Sequence, residues 1–218
     1  MQARLDLDLQ QRVLAELEWE PGVDATQIRV AVDRGVVTLA GTVASYAEKL
    51  DAERAVRRLA GIRALVSNLE VRPQLALVRT DTGVGRAVTQ ALEWNVAVPH
   101  ERIRARVKDG QVTLEGQVPF QFQRAAAESA VTHLPGVKGV HNLITIRAGV
   151  SASDVKSRIE AALLRSAEID ARSVQVEIQG GTVTLRGQVH SWAERKEAER
   201  AAWAAPGVCE VRDELEVA

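Results

Sequence analysis

The phrase Gly35-Val-Val-Thr-Leu-Ala-Gly-Thr-Val43 decides how this chain of 218 residues folds, because close copies of it occur twice more. The copies are Gly110-Gln-Val-Thr-Leu-Glu-Gly-Gln-Val118 and Gly181-Thr-Val-Thr-Leu-Arg-Gly-Gln-Val189. The first and second phrases lie 75 residues apart, the second and third lie 71 apart, and the similarity continues on both sides. A period of this length predicts three small domains of one kind. We place them at residues 5–72, 80–147 and 151–218.

Each repeat begins with apolar residues four positions apart, the spacing of one helix face. These residues are Leu9, Val13 and Leu17, then Val84, Val88 and Leu92, then Val155, Ile159 and Leu163. Apolar and polar residues alternate in the next segment and again within the repeated phrase, which predicts two strands joined by a short turn. A second helix follows, at roughly 46–60, 121–134 and 192–205, and a third alternating segment closes each repeat. The order α-β-β-α-β predicts an α+β fold with both helices on one sheet face.

Six glycines have predicted structural roles in this pattern. Gly35, Gly110 and Gly181 stand in the hairpin turns, where glycine supplies a positive φ. Gly41, Gly116 and Gly187 occupy one central strand position, which indicates that a helix backbone crosses close above each of them. Substitution of Gly116 by valine is therefore expected to destabilise the fold by overpacking.

The helix start signals differ between the repeats. Ser45-Tyr-Ala-Glu48 and Ser191-Trp-Ala-Glu194 fit the capping box, in which serine and glutamate side chains satisfy the first amides of a helix. The second repeat has Phe120-Gln-Phe-Gln123 after Pro119, so its second helix is expected to begin less firmly. For the first helices, the start signals are Thr80 to Thr82 in the second repeat, and Ser153 with Asp154 in the third.

Composition limits the class of protein. The apolar fraction is 46% and the charged fraction is 26%, as in ordinary soluble domains, and no apolar run approaches the length of a membrane span. The first residues lack the basic end, apolar core and cleavage site of a secretory signal. These features favour a cytoplasmic location, or a periplasmic one if the natural N-terminus has been replaced.

Charge is distributed unevenly along the chain. Residues 1–75 hold ten basic and eleven acidic side chains, residues 76–148 hold nine and six, and residues 149–218 hold nine and twelve. The net charges are therefore −1, +3 and −3 in chain order. An anionic partner is expected to meet the middle repeat rather than its neighbours.

Two tryptophans are candidate binding residues. Trp19 lies about 120° from the buried stripe of the first helix, and Trp94 takes the same place in the second repeat. The third repeat has Arg165 there, a residue that a core position would not accept. Exposed tryptophans suit a membrane interface or a protein partner. The alternative is that each ring folds over the edge of its own domain or contacts the next one, and the same alternatives apply to Trp192 and Trp203.

A basic row in the second repeat is the other candidate. Strand alternation sends Arg102, Arg104, Arg106 and Lys108 to the sheet face opposite the helices. Such a row can hold lipid phosphates, at about 1 kcal/mol for each basic residue near an anionic surface. A solvated strand face is the commoner explanation of this pattern. The corresponding residues of the other repeats are not basic as a set, so any function of the row belongs to one repeat.

Residues for catalysis or metal binding are not predicted. The four histidines, His100, His133, His141 and His190, lack partners at metal-ligand spacing, and no nucleophile motif or complete dinucleotide-binding loop is present. The sequence thus predicts no catalytic residue, no metal site and no cofactor. Nucleic acid is an unlikely partner because the basic row lacks interleaved exposed aromatic residues.

The order of elements, the Gly-x-Val-Thr-Leu-x-Gly-x-Val phrase and the later stretch from Gly136 to Asn142 resemble the BON domain, the bacterial osmotically-inducible and nodulation domain, in three tandem copies. The resemblance covers nearly the whole chain and is strongest in the second copy. Ser67 and Asp213 replace Asn142 in the other two copies. The resemblance implies a three-stranded mixed sheet under two helices, a role in envelope or stress physiology, and the phospholipid binding proposed for the family.

Two functions are consistent with these features. The first is a non-enzymatic, stress-associated protein whose repeats contact anionic phospholipid or a membrane-surface partner through Trp19, Trp94 and the basic row. The second is a protein-binding or self-associating scaffold without lipid binding, in which open sheet faces or edge strands pair with another chain.

Overall fold

The computed structural model describes residues 2–73, 80–147, 149, 151–166 and 173–218. Within them each repeat has the predicted order of elements. The first repeat consists of α1 (Gln2–Trp19), β1 (Ile28–Asp33), β2 (Val36–Val43), α2 (Tyr46–Arg57) and β3 (Ala64–Val71). The second consists of α3 (Asp81–Trp94), β4 (Ile103–Lys108), β5 (Gln111–Val118), α4 (Gln121–Thr132) and β6 (Gly139–Ile146). The third consists of α5 (Ala152–Arg165), β7 (Val174–Gln179), β8 (Thr182–Val189), α6 (Trp192–Trp203) and β9 (Glu210–Val217).

Each repeat has its own three-stranded mixed sheet, with the second strand of the repeat in the centre. In the first sheet β1 runs antiparallel to β2, and β3 runs parallel to β2. The third sheet repeats this arrangement with β7, β8 and β9. A parallel pair needs a long crossover connection, which the second helix of the repeat provides. The predicted α+β fold of three αββαβ units is therefore confirmed.

The helical stripes predicted from the sequence form the core. In the first repeat Leu9, Val13 and Leu17 pack with Val37, Leu39 and the alanines of α2. The third repeat has an equivalent cluster built around Ile159, Leu163, Val183 and Leu185. Small alanine side chains such as Ala52 and Ala198 are fully buried, so the second helix approaches the sheet closely.

A carboxylate at the start of the first helix holds the hairpin turn in two of the repeats. Asp6 accepts hydrogen bonds from the backbone N–H groups of Arg34 at 3.1 Å and Gly35 at 3.2 Å. Asp81 does the same for Asp109 and Gly110, at 2.8 and 2.9 Å. Arg34 and Asp109 have φ values of 49° and 53°, which non-glycine residues rarely adopt. The third repeat has Ala152 in place of the aspartate, and there Gly180 supplies the positive φ of 57°.

The central strand glycines are required for a different reason from the predicted one. A Cβ on Gly41 would overlap the carbonyl oxygen of Gln27, the last residue of the 3-10 turn Ala25–Gln27 that precedes the partner strand β1. Gly116 and Gly187 face the carbonyl oxygens of Arg102 and Ser173 in the same way. Their φ values, 137°, 154° and 124°, also exclude most other residues. The nearest atoms to an added Cβ are thus those of the backbone that leads into the partner strand, rather than those of a covering helix.

Several helix ends differ from prediction by two or three residues. The second helices end at Arg57, Thr132 and Trp203. Beyond these residues the backbone hydrogen bonds join residues three apart instead of four, until the glycine that follows. In the first repeat the N–H of Arg58 donates to the carbonyl of Ala55 at 3.2 Å. Helix α5 begins two residues before the predicted signal, because Ser151 caps it by accepting from the N–H of Asp154.

The chain divides into two compact units, and the division passes through the middle repeat. One unit comprises Met1–Ala91, Ala105–Thr113 and Ala130–His141, and the other comprises Leu92–Arg104, Leu114–Ser129 and Asn142–Ala218. The middle repeat contributes its hairpin turn to the first unit and the end that carries Trp94 to the second.

Candidate functional site

Trp19 and Trp94 are the last residues of α1 and α3, and both rings are exposed, to 83% and 77%. Of the two arrangements considered from the sequence, the exposed one is therefore the one found. The surroundings of the two rings differ. Trp19 lies between Glu18 and Glu20, whereas Trp94 lies between Glu93 and Asn95. Binding by either residue stays a prediction.

An apolar tip, consisting of Trp94, Val96 and Phe122, occupies one end of the middle repeat. Val96 is fully exposed and Phe122 is 54% exposed. Ile103, which follows the turn after α3, lies beside Gly116, close enough that an added Cβ would be 3.1 Å from its Cα. Gly116 is in turn near the end of β5, just before α4 begins. The end of α3 and the start of α4 therefore meet at the same end of the sheet.

A helix cap present in the first repeat is missing beside this tip. In the first repeat Glu48 accepts hydrogen bonds from the N–H groups of Ala44, at 2.7 Å, and Asp24, at 2.9 Å. The corresponding residues in the middle repeat are Pro119 and Pro99, which have no N–H to donate. Gln123 replaces the glutamate.

The side chains at the start of α4 show the consequence. The Oε1 atoms of Gln121 and Gln123 and the Nε atom of Arg124 are buried without a hydrogen-bond partner among the described residues. Phe120 stands where Ser45 and Ser191 cap the other helices, and its ring stacks on Phe122 with centroids 5.4 Å apart. The predicted weak start of this helix corresponds to this missing cap.

The basic row is exposed, but it is not one continuous strand feature. Arg102 belongs to the 3-10 turn His100–Arg102 that precedes β4, next to the apolar tip. Arg104, Arg106 and Lys108 are exposed residues of β4 itself. Among the residues that the structure describes, no carboxylate forms an ion pair with any of the four. Ala105, between these residues, is also exposed, whereas the corresponding Val30 and Val176 are buried.

The open sheet face of the third repeat has its charges paired instead. Arg186 of β8 donates to Glu214 at 2.7 Å and to Glu177 at 2.9 Å, linking all three strands. The hydrogen bond to Glu214, together with the charges of Glu177 and Glu214, raises the pKa of Arg186. Arg212 similarly pairs with Glu210 at 3.1 Å. Among the described residues, β4 thus carries three cations without an ion-pair partner, whereas β1 of the first repeat carries one, Arg29.

The other two tryptophans are in helix α6. Trp192 is 66% exposed, and the guanidinium of Arg195 lies over its ring at 5.0 Å from the centroid. Trp203 is half-buried and packs against the core of the third repeat. Trp203 therefore has a structural role in packing the core, and the ring of Trp192 is partly covered by the guanidinium of Arg195.

A polar link between the second helix and the third strand was missed in the sequence. Asn142 donates to the carboxylate of Glu128 at 2.9 Å and to the carbonyl of Arg124 at 3.1 Å. The corresponding Asp213 accepts from Arg195 at 2.6 Å. In the first repeat, Ser67 has a buried Oγ with no partner among the described residues. Because the three repeats have different residues at this position, the sequence did not indicate this link, and it is seen only from the contacts in the structure.

Within the described ranges, no cluster of three or more histidine, cysteine, aspartate or glutamate residues is placed to hold a metal ion. Among the described helices, none is long and apolar enough to cross a membrane.

Comparison with known families identifies the repeats. The family model described as BON domain matches residues 6–73, 80–148 and 151–218. The chain belongs to the BON domain family. A curated relative is Osmotically-inducible protein Y of Escherichia coli strain K12, which is 30% identical to this chain over 135 residues. That match covers 60% of this chain and 67% of the relative.

Two solved structures of CdsD, a structural protein of the type III secretion system of Chlamydia trachomatis, also align with the BON repeats. They are 15% and 16% identical to this chain, and each covers 97% of it. The alignments cover 98% and 93% of those chains, with TM-scores of 0.28 and 0.26. Values this low carry no argument about this protein.

Proposed function

We propose that this chain is a non-enzymatic binding protein of the osmotic stress response whose middle BON domain contacts anionic phospholipid membranes. The name of its E. coli relative supports the association with osmotic stress. One observation carries the membrane contact: exposed Trp94, Val96 and Phe122 lie at the same end of the domain as Arg102, which has no ion-pair partner among the described residues.

This combination suits the interface of a bilayer. A tryptophan ring places its apolar surface among the acyl chains while its N–H stays at the level of the headgroups. Arg102 and Arg104 lie near enough to the tip to meet lipid phosphates, at about 1 kcal/mol for each basic residue. Arg106 and Lys108 lie further along β4 and add to the positive potential of the domain.

Trp19 is the weaker candidate of the pair. Glu16 and Glu20 flank the end of α1, and both accept from Arg58, at 3.1 and 2.6 Å. Glu18 is a further acidic neighbour in the sequence. Carboxylates near the ring oppose approach to an anionic surface, so Trp19 serves as the matched control for Trp94.

Co-sedimentation of the full chain with vesicles tests the proposal. Vesicles of phosphatidylglycerol mixed with phosphatidylcholine are compared with vesicles of phosphatidylcholine alone, at low and at high salt. We expect binding to the anionic vesicles at low salt, with most of it lost in Trp94→Ser and in the double variant Arg102→Glu, Arg104→Glu. The controls Trp19→Ser and Arg29→Glu are expected to lose much less.

Two results would overturn the proposal. Absence of sedimentation with anionic vesicles at low salt would rule out the membrane contact and favour the second function considered from the sequence, a scaffold for protein partners, for which an exposed apolar tip is also suited. Equal loss in the Trp94 and Trp19 variants would contradict the assignment of the contact to the middle domain.

A further inference from the structure

A cleft recurs at the same place in all three BON domains. It lies between the start of the first helix, the hairpin turn and the glycine loop before the third strand, with volumes of about 400, 300 and 250 Å³ in chain order. The corresponding lining residues are Asp6, Gly35, Gly61 and Arg63, then Asp81, Gly110, Gly136 and Lys138, then Ala152, Gly181, Gly207 and Cys209.

The second and third clefts have a wall that the first cleft lacks. Pro73, which follows β3 of the preceding domain, lines the second cleft. Ile146 and Arg147, at the end of β6, line the third. The first cleft is lined only by residues 2–63 of its own domain, and it is the largest of the three.

In the third cleft, the end of the second domain contacts the rim of the third. The N–H of Gly207, on the cleft rim, donates to the carbonyl of Pro119 at 2.8 Å, and Pro119 directly follows β5. The Sγ atom of Cys209 is 3.9 Å from the carbonyl oxygen of Ile146. The ends of the second and third strands of one domain therefore meet the glycine loop of the next, within one compact unit.

The exposure of equivalent residues agrees with this difference between the first cleft and the other two. Gly136 and Gly207 are half-buried, whereas Gly61 of the first cleft is exposed. At the opposite end, Val71 and Ile146 are half-buried, whereas the corresponding Val217 of the third domain is exposed. Within the described chain, one cleft and one strand end are thus left uncovered.

We propose that the first cleft receives the end of the third BON domain of a second copy of this chain. The repeat equivalence pairs the N–H of Gly61 with the carbonyl of His190, as Gly207 pairs with Pro119, and places Val217 and Ala218 along the cleft. Charge supports this occupant, because three basic residues line the cleft against two acidic ones, Asp6 and Asp8, and Glu216 lies beside the incoming end. The basic residues are Arg12, Arg34 and Arg63. The contact joins different surfaces of two copies and so produces head-to-tail chains or rings. The proposal does not depend on lipid binding.

Sedimentation velocity on the full chain without lipid tests this contact. One variant blocks the cleft, with Leu5→Asp and Arg63→Glu, and another blocks the strand end, with Val217→Asp. Their matched controls are Arg29→Glu and Val66→Asp, exposed residues of the first domain outside the cleft. Circular dichroism melting is used to verify that every variant is folded.

We expect the wild-type mass to rise with concentration, as it does for the two controls, while each blocked variant keeps the mass of one chain. A mixture of the two blocked variants is expected to form a species of twice that mass and no larger. One intact cleft and one intact end remain in the mixture, which permits a single contact. A wild-type mass that stays that of one chain at every concentration, association of either blocked variant alone, or a mixture that stays single-chain would each overturn the proposal.

Discussion

The middle BON domain and its two neighbours have the same backbone elements but different helical surfaces. Helices α3 and α4 together carry five charged residues, whereas the helix pair of the first domain carries twelve and that of the third carries eleven. In the first domain Arg58 bridges Glu16 and Glu20 across the two helices. The middle domain has His133, Ala91 and Asn95 at these positions, so this ionic crossing is absent.

The difference shows which features the fold requires and which are open to specialisation. All three domains keep the glycine that admits the strand-entry carbonyl and the apolar stripe of the first helix. Helix capping, surface ion pairs and the tether at Asn142 change from one domain to the next. The middle domain has fewer charged groups on its helices, and the cations of β4 have no ion-pair partner among the described residues.

The largest expected effect concerns the shared backbone. Gly116→Val is expected to destabilise the middle domain by about 3 kcal/mol or more, because the side chain meets the Arg102 carbonyl and a φ of 154° is unfavourable for valine. Gly85→Ala is the control: nothing lies within 4 Å of the added Cβ in α3, and alanine favours a helix. Urea unfolding with hydrogen exchange measures both variants, and equal stability of the two would contradict the structural role of Gly116.

A second prediction concerns the tether between helix and third strand. Asp213→Ser removes the partner of Arg195 and is expected to cost the third domain about 2 kcal/mol, since both side chains are largely buried. The mirror change, Ser67→Asp, gives Lys49 a carboxylate and is expected to stabilise the first domain by about 1 kcal/mol. Hydrogen exchange resolved by domain measures both. Stabilisation of the third domain by Asp213→Ser would show that the link is not a tether.

The helix cap provides a third, smaller change. Replacing Pro119, Phe120 and Gln123 by Ala, Ser and Glu installs the capping box of the first domain and is expected to stabilise the middle domain by about 1 kcal/mol. The reverse control replaces Ala44, Ser45 and Glu48 of the first domain by Pro, Phe and Gln. Urea denaturation compares the two, and a loss of stability in the capped middle domain would mean that the prolines fit their turns better than the cap.

The smallest expected effect is a change of folding stability with pH. Partial desolvation raises the pKa of Asp6, but hydrogen bonds from the N–H groups of Arg34 and Gly35 and from Gln2 hold it below the usual 3.8. A lowered pKa in the folded state means that the stabilisation is complete above pH 3.8 and is lost as the pH falls towards the folded value. Asp6→Asn should therefore differ from wild type at neutral pH and converge with it in acid. A stability difference that grows on acidification would contradict this assignment.

The sequence by itself determined the three BON domains, their order of elements and the inward stripe of each first helix. Residues such as Leu39, Leu114 and Leu185 recur with a period set by helix and strand geometry, and these local rules act within a few residues. Helix periodicity placed Trp19 and Trp94 away from the buried stripe, because the angle around a helix depends only on residue number. Whether each ring is exposed or covered was left open by the sequence and was decided by the structure.

Only the tertiary structure decided the features that join distant segments. The neighbour of Gly116 is the carbonyl of Arg102, and strand pairing rather than residue spacing along the chain sets that approach. The placement of Trp94 and Phe122 at one end of the middle domain, the link from Asn142 to Glu128 and the clefts between successive domains depend in the same way on how the elements pack. Sequence periodicity assigns each residue to a face, but which faces meet is fixed by packing of the whole chain.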